Sequence, residues 1–374
     1  MLFCQFAQAK SLREICGGLA CTMGKLRHLG MKDAPKKSTL SYANAHRPRE
    51  MFRDLLYGIL EICKMAAPKN RKFRFKNKLL SLDSTTISLC LVLFPWAEHR
   101  RTKGAVKLHL LLDHDGYLPT YAYISNGKKH DVTITRKISL PPGSIVTMDR
   151  AYNHYKLFAS LTQNGVFFVT RMKENADYEV VEERVAPRNI NVFSDQPIRF
   201  TGYYAKKNCP HILRRIIVWD DQNDKEIALI TNHLKFGATT ISAIYKDRWK
   251  IECFFKQLKQ NLKVKTYAGT TKSALYIQIW TALIAMLLIK SLRFKSKFGW
   301  SLSNLVAFLR WNLFTYRDLW DWIENPFNIM PVVPESVQIP LPIAGFGQHQ
   351  LRGGTSIPNV RLAFTNSLKI LSAY

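Results

Sequence analysis

In the stretch YKDRWKIECFFKQLKQ, residues 245 to 260, polar groups recur at Tyr245, Arg248, Glu252 and Lys259. At about 100° per residue they fall in one helical stripe roughly 60° wide, and at 1.5 Å per residue the stripe is roughly 21 Å long. Ile244, Ile251, Phe254, Phe255, Leu258 and Leu262 fill the neighbouring sector, so the stripe borders a buried face. Two more carboxylates, Asp83 in SLDSTTI and Asp149 in TMDRAY, sit in or at the end of short runs of strand character. If folding brings them together, cations must neutralise them. With Glu252 they would make a cage of oxygen ligands, which suits Mg²⁺ (with Mn²⁺ able to substitute) rather than zinc. Two such ions about 3.5–4 Å apart can activate a water or a 3′-hydroxyl and stabilise the leaving oxygen in an in-line displacement at phosphorus. Arg248 and Lys259 have the chemistry to hold flanking phosphates, one as a bidentate fork and the other as a point charge. Tyr245 could hydrogen-bond a phosphate or pack. Trp249, beside the stripe, and Trp219 are candidates to stack on an extruded base, with plain packing as the other reading.

The elements that must position these groups are legible in the residue pattern. LLSLDSTTISLC reads as a first strand, and AVKLHLLLD and YLPTYAYIS flank the hairpin signal His114-Asp115-Gly116. HDVTITRKISL offers a short helix capped by Asp131. PPGSIVTMD feeds a fourth strand, NHYKLFASLTQNG a helix and VFFVTRM a fifth strand. The order β-β-β-α-β-α-β is that of a ribonuclease H-like mixed α/β sheet, whose first and fourth strands are neighbours. The reading divides the chain into a helical basic region (1–78), the first part of that core (79–172) and a β-rich insertion (173–235). The catalytic helix (236–268), a helical C-terminal region (269–330) and an irregular tail (331–374) follow. The helical stripe is expected to be one continuous helix, and the N-terminal helix to be broken by Gly17-Gly18 and Gly24. A second helix is expected from about Ser41 through MFRDLLYGILEICKM.

Lys and Arg number 55 against 27 Asp and Glu, a net +28 over 374 residues. Such a charge costs self-repulsion unless a polyanion meets it, and nucleic acid is the usual partner. Up to residue 78, 17 Lys/Arg face 5 Asp/Glu, so this end concentrates the excess. KSTLSYANAHR could lie on DNA as a recognition element or be a solvated helix. KNRKFRFKNK, with six cations around Phe73 and Phe75, could track phosphates or serve as a basic linker. EHRRTKG (98–104) reads as a solvated charge run, with a phosphate contact as the alternative. Seven cysteines without CxxC spacing read as reduced thiols of a cytoplasmic protein. Cys209-Pro-His211 has no partner pair at zinc spacing. MLFCQFAQAK lacks a signal peptide's basic start, and LYIQIWTALIAMLLIK reads as a core helix, so no membrane association is expected.

The spacing Y-x2-R-x3-E-x6-K at Tyr245, Arg248, Glu252 and Lys259, with SLDSTTI and TMDRAY upstream, resembles the bacterial DDE transposases of the insertion-sequence-four group. The resemblance runs from about residue 10 to about 330. It implies a ribonuclease H-like core interrupted by a β insertion ahead of the last catalytic helix. It further implies cut-and-paste movement of the protein's own element on double-stranded DNA, in a dimeric synaptic complex at the bacterial nucleoid. Asp83, Asp149 and Glu252 would then be the metal-binding triad for two ions, and Tyr245, Arg248 and Lys259 its phosphate-contacting companions. Members of the group usually carry more chain ahead of the position of Met1, and residues 350–374 resemble nothing in it. A transposase-derived DNA-binding protein that no longer cuts, or another nuclease of the same fold such as a junction resolvase, are the alternatives.

Overall fold

The computed structural model describes residues 1–327 apart from 23–25, 28–29, 69–70, 101–102, 186–190, 221–223, 265, 314 and 316–317. Gly24 and the expected tail at 331–374 therefore lie outside the described residues. Four helices open the chain, α1 (Leu2–Ala7), α2 (Leu12–Ala20), α3 (Lys37–His46) and α4 (Arg49–Ala66). Gly17 and Gly18 lie inside α2 and do not break it. A Cβ on Gly18 would come within 2.6 Å of the Phe3 ring, so the missing side chain lets α1 settle against α2. The single helix expected from Ser41 is two. Pro48 forces Arg47 into an extended conformation, and α4 starts immediately after it. On α3, Tyr42 is exposed and stacks on His46 at 4.2 Å.

The strands are β1 (Leu79–Leu89), β2 (Glu98–Arg100), β3 (Lys103–Asp113), β4 (Leu118–Asn126), β5 (Ile145–Met148) and β6 (Phe167–Arg171), then β7 (Tyr178–Val180), β8 (Val192–Phe200), β9 (Leu213–Asp220) and β10 (Lys225–Thr231). They join in a single ten-stranded sheet of order β2-β3-β1-β5-β6-β10-β9-β8-β7, with β4 also on β3. β1, β3 and β4 are antiparallel, and β5 and β6 add in parallel. The expected hairpin forms, with Gly116 at φ 80° and Tyr117 at φ 53° in its turn. The first residues of EHRRTKG form β2 against β3.

The strands expected as an insertion prolong this same sheet, because β10 pairs antiparallel with β6. A bidentate ion pair between Arg214 of β9 and Asp195 of β8, both buried, locks their register. A short helix, α7 (Tyr203–Asn208), interrupts the β-rich stretch expected over 173–235. Two other helices, α5 (Val132–Thr135) and α6 (Tyr155–Gln163), link the core strands.

Side chains alternate across β1 and β5 and divide the core in two. Leu80, Leu82, Val146 and Met148 pack with α6 on one face. Leu79 and Ile145 pack on the other with Ile241 and Ile244 of α8 (Ala238–Asp247). Next comes α9 (Trp249–Asn261), followed by α10 (Lys272–Lys295), α11 (Leu302–Trp311) and α12 (Leu319–Glu324). α10 is long and apolar enough to cross a membrane, but α4, α9, α11 and the β3 side of the sheet bury it on all sides. That explains its lack of a polar face.

Its Gln278 is buried and clamps the loop after α9, donating to the carbonyls of Lys263 and Thr266 and accepting from the Ala268 N–H. From α1, Gln5 accepts from the Lys263 N–H. Gln8, just beyond α1, donates to the Asn261 carbonyl at 2.7 Å. The last carbonyl of helix α9, that of Asn261, is thus satisfied by Gln8 from far earlier in the chain.

Candidate active site

Register places Asp83 beside Asp149. β1 and β5 pair Leu82 with Met148, so the next residue on each is the aspartate, on strands about 4.8 Å apart. Alternation turns both away from the Leu82 and Met148 core and toward α8 and α9. Asp83 accepts from the Ser84 N–H at 2.7 Å. Asp149 leads a 3-10 turn, Arg150–Tyr152, and its carbonyl accepts from Tyr152 N–H.

The stripe comes on two helices rather than one. At Arg248 the bonding shortens to i→i−3, from Arg248 N–H to Tyr245 and from Ile251 N–H to Arg248, while Arg248 keeps helical angles. The junction delivers Arg248 between two carboxylates. Its Nη2 meets Glu252 Oε1 at 2.6 Å and its Nη1 lies 3.6 Å from Asp83 Oδ2. Arg248 Cζ also lies 5.5 Å from the centre of the Tyr245 ring, which is half-buried against the core. Burial, then the charges of Asp149 and Glu252, push the Asp83 carboxyl up to about 7 against the pull of the Ser84 N–H and the Arg248 guanidinium. Burial likewise raises the Tyr245 phenol.

Among the described residues no three acidic, His or Cys side chains stand close enough together to hold an ion. The donor set itself suits a hard divalent cation. It is all oxygen, and the Asp83 carboxyl is raised chiefly by burial, a penalty on its charged form that a bound cation would offset.

Lys259, near the end of α9, donates to the Thr86 carbonyl of β1 at 3.1 Å. Trp249 is half-exposed at the start of α9. Trp219 is on β9, edge-on to Phe193 at 6.3 Å. Four strand spacings, about 19 Å, separate β9 from β1 in the sheet. The Asp131 carboxylate does not cap α5. It accepts from Ser84 Oγ at 2.8 Å and pairs with Lys107. Ser84 and Lys107 are out of phase with Asp83 in the pleat, so Asp131 serves the other face of the sheet. The basic run before β1 is partly tied down, with Arg71 on Asp115, Lys72 on Asp247 and Lys78 on Asp113.

Sequence reasoning missed a polar layer under the carboxylates. Ser81 Oγ lies 2.7 Å from His114 Nε2 and 2.8 Å from Thr147 Oγ1, and His114 Nδ1 lies 2.6 Å from Asp247 Oδ2. The available signal was a hydroxyl residue two positions before each aspartate, on the same strand face.

Asp83 and Asp149 on neighbouring strands, with Arg248 linking Asp83 to Glu252, bring two strand-borne carboxylates and a helix-borne one to the same side of the sheet. Comparison with known proteins gives the family: the chain belongs to the DDE transposases, residues 74–288 matching the Transposase DDE domain. Residues 1–32 match a domain of unknown function, DUF4372. A putative transposase, y4zB, of Sinorhizobium fredii (strain NBRC 101917 / NGR234) is 32% identical over 284 residues, 74% of this chain and 77% of that protein. A probable transposase for insertion sequence element IS5377 of Geobacillus stearothermophilus is 30% identical over 275 residues, 73% of this chain and 72% of that protein. Among solved structures, a cryo-EM structure of the piggyBac transposase synaptic complex with hairpin DNA is similar at a TM-score of 0.40 and 12% identity, covering 75% of this chain and 60% of that one.

Proposed function

We propose that this transposase is of the insertion-sequence-four group, and that it binds the terminal inverted repeats of its element, cuts at their ends and joins them to target DNA. In this reading Asp83, Asp149 and Glu252 hold two Mg²⁺ or Mn²⁺ ions. Tyr245, Arg248 and Lys259 hold the phosphates of the DNA end, and two copies work on paired ends in the bacterial cytoplasm. The observation that carries it is the shared register of Asp83 and Asp149, with Arg248 bridging Asp83 to Glu252. The strand order supports a ribonuclease H-like core lengthened at one edge by β7 to β10.

Bound divalent ions would supply an activated oxygen nucleophile and stabilise the leaving oxygen. The chain's own groups position the DNA. Arg248 presents a fork that can exchange a carboxylate for two phosphate oxygens. Lys259 adds a point charge further along the same face. Trp249 has the exposure to meet a base beside the site. The +28 charge supports a polyanionic partner.

The test is cleavage of a supercoiled plasmid carrying the element's terminal repeats, with Mg²⁺. Asp83→Ala, Asp149→Ala and Glu252→Ala should each abolish cleavage and leave repeat binding nearly intact. Retained cleavage in any one of them refutes the triad.

A further inference from the structure

We infer that Ser81, Thr147, His114 and Asp247 form a positioning layer that sets the α8–α9 junction against the two aspartate strands. The inference rests on the triad reading above and deepens it. Ser81 and Thr147 each stand two residues before a triad aspartate, so they share its face one pleat earlier. Both are fully buried and bonded to each other at 2.8 Å. His114, after β3, joins them at 2.7 Å through Nε2 and reaches Asp247 at 2.6 Å through Nδ1. Asp247 ends α8 and directly precedes Arg248. One continuous hydrogen-bonded path therefore runs from the strands of Asp83 and Asp149 to the helix that carries Arg248 and Glu252.

Asp247 is anchored on its other edges too. Lys72 Nζ meets Oδ1 at 2.6 Å, and the Tyr117 hydroxyl donates to Oδ2 at 3.2 Å. Tyr117 is itself held by Lys290, whose Nζ donates to its carbonyl at 2.7 Å. The order Ser81–His114–Asp247 copies the connectivity of a hydrolase triad, but Ser81 has no exposed surface and its oxygen is already shared with Thr147. No substrate can reach it, so the array orients and does not attack. A buried polar network of this kind gains little stability over apolar packing of the same shape. It does fix geometry, and a misplacement of about 1 Å can cost about a hundredfold in rate.

The test uses the full chain and a pre-bound terminal-repeat DNA end, with single-turnover cleavage, end-binding Kd and thermal midpoint measured together. Thr147→Val keeps the shape and removes the hydroxyl, Thr147→Ser keeps the hydroxyl, and His114→Asn keeps a donor toward Asp247 but loses the reach to Ser81. Thr147→Val and His114→Asn should slow cleavage ten- to a hundredfold with Kd within about twofold, and Thr147→Ser should restore most of the rate. Wild-type rates in both slow variants, while Asp83→Ala remains dead, overturn the inference and leave the triad standing. Loss of midpoint, binding and rate together in Thr147→Val and His114→Asn also overturns it, since the layer is then structural only. Cleavage that survives Asp83→Ala brings down the triad reading and this inference with it.

Discussion

Asp83→Asn should make the metal-free protein more stable at neutral pH while destroying its proposed activity. The Asp83 carboxyl is raised from 3.8 to about 7, chiefly by burial and then by Asp149 and Glu252. At about 1.4 kcal/mol per pH unit, the folded state opposes the ionised form by about 4 kcal/mol. The side chain is 16% exposed, and local relaxation will absorb part of this, so a gain of about 2 kcal/mol is the working figure. Asparagine can still accept the Ser84 N–H, and Arg248 keeps Glu252 at 2.6 Å, so no charge is orphaned. Between about pH 4 and 7 the native protein keeps a proton that the unfolded chain has released. Wild-type stability therefore falls as pH rises through that window, and the deficit is complete above it. Thermal unfolding with a chelator should place Asp83→Asn about 4 °C above wild type at pH 8, taking about 2 °C per kcal/mol for a large chain, with the gap closing near pH 4. Adding Mg²⁺ should raise the wild type and narrow the gap, since an ion that binds only the native state stabilises it. A variant less stable than wild type at pH 8, or a gap indifferent to pH, would refute the electrostatic account of this site.

Three further outcomes follow from the same geometry. Arg248→Ala should leave Asp83 and Glu252 unopposed, so its thermal destabilisation should be larger at pH 8 than at pH 5; Arg248→Lys should recover only part of the single-turnover cleavage rate, because a point charge replaces a fork. Burial lowers the Lys290 ammonium to about 7, so wild-type stability should rise from about pH 7 to 10 as the native state sheds a proton that the unfolded chain keeps. Lys290→Met, followed by denaturant unfolding, should remove that rise, and an unchanged pH profile would contradict it. Binding to repeat DNA should weaken with salt by about 0.9 in the log–log slope per phosphate neutralised, and a flat titration would assign the +28 charge elsewhere.

What the residue pattern made legible was local. Alternation around SLDSTTI and the run before TMDRAY marks β1 and β5, and the carboxylates follow from their places in those strands. The apolar sector of YKDRWKIECFFKQLKQ is buried as its spacing requires. Long-range pairing was not legible. The strands from β7 to β10 read as a β-rich insertion, but they carry no local sign that β10 will pair with β6. The tightening at Arg248 leaves the helical angles intact and changes only the bonding, which no periodicity reveals. Asp131 had the spacing of a helix cap, but Ser84 and Lys107 offered it better partners. His114 and Asp247 are 133 residues apart, and each alone reads as an ordinary turn or helix-end residue. Pro48 was the one legible break that the reading passed over.

The fastening of α9 by Gln5 and Gln8 has a consequence for the order in which this protein can be completed during synthesis. Gln8 leaves the ribosome early, yet its partner carbonyl on Asn261 is 253 residues later in the chain. At bacterial elongation rates of about 5–20 residues per second, the two are separated by roughly 13–50 s. Through that interval the first helix has no Asn261 to cap. The Asn261 carbonyl that ends the Glu252 helix meets its donor only when the earlier-made Gln8 comes back to it. The contact that closes the end of α9 can therefore form only after residue 261 has been made.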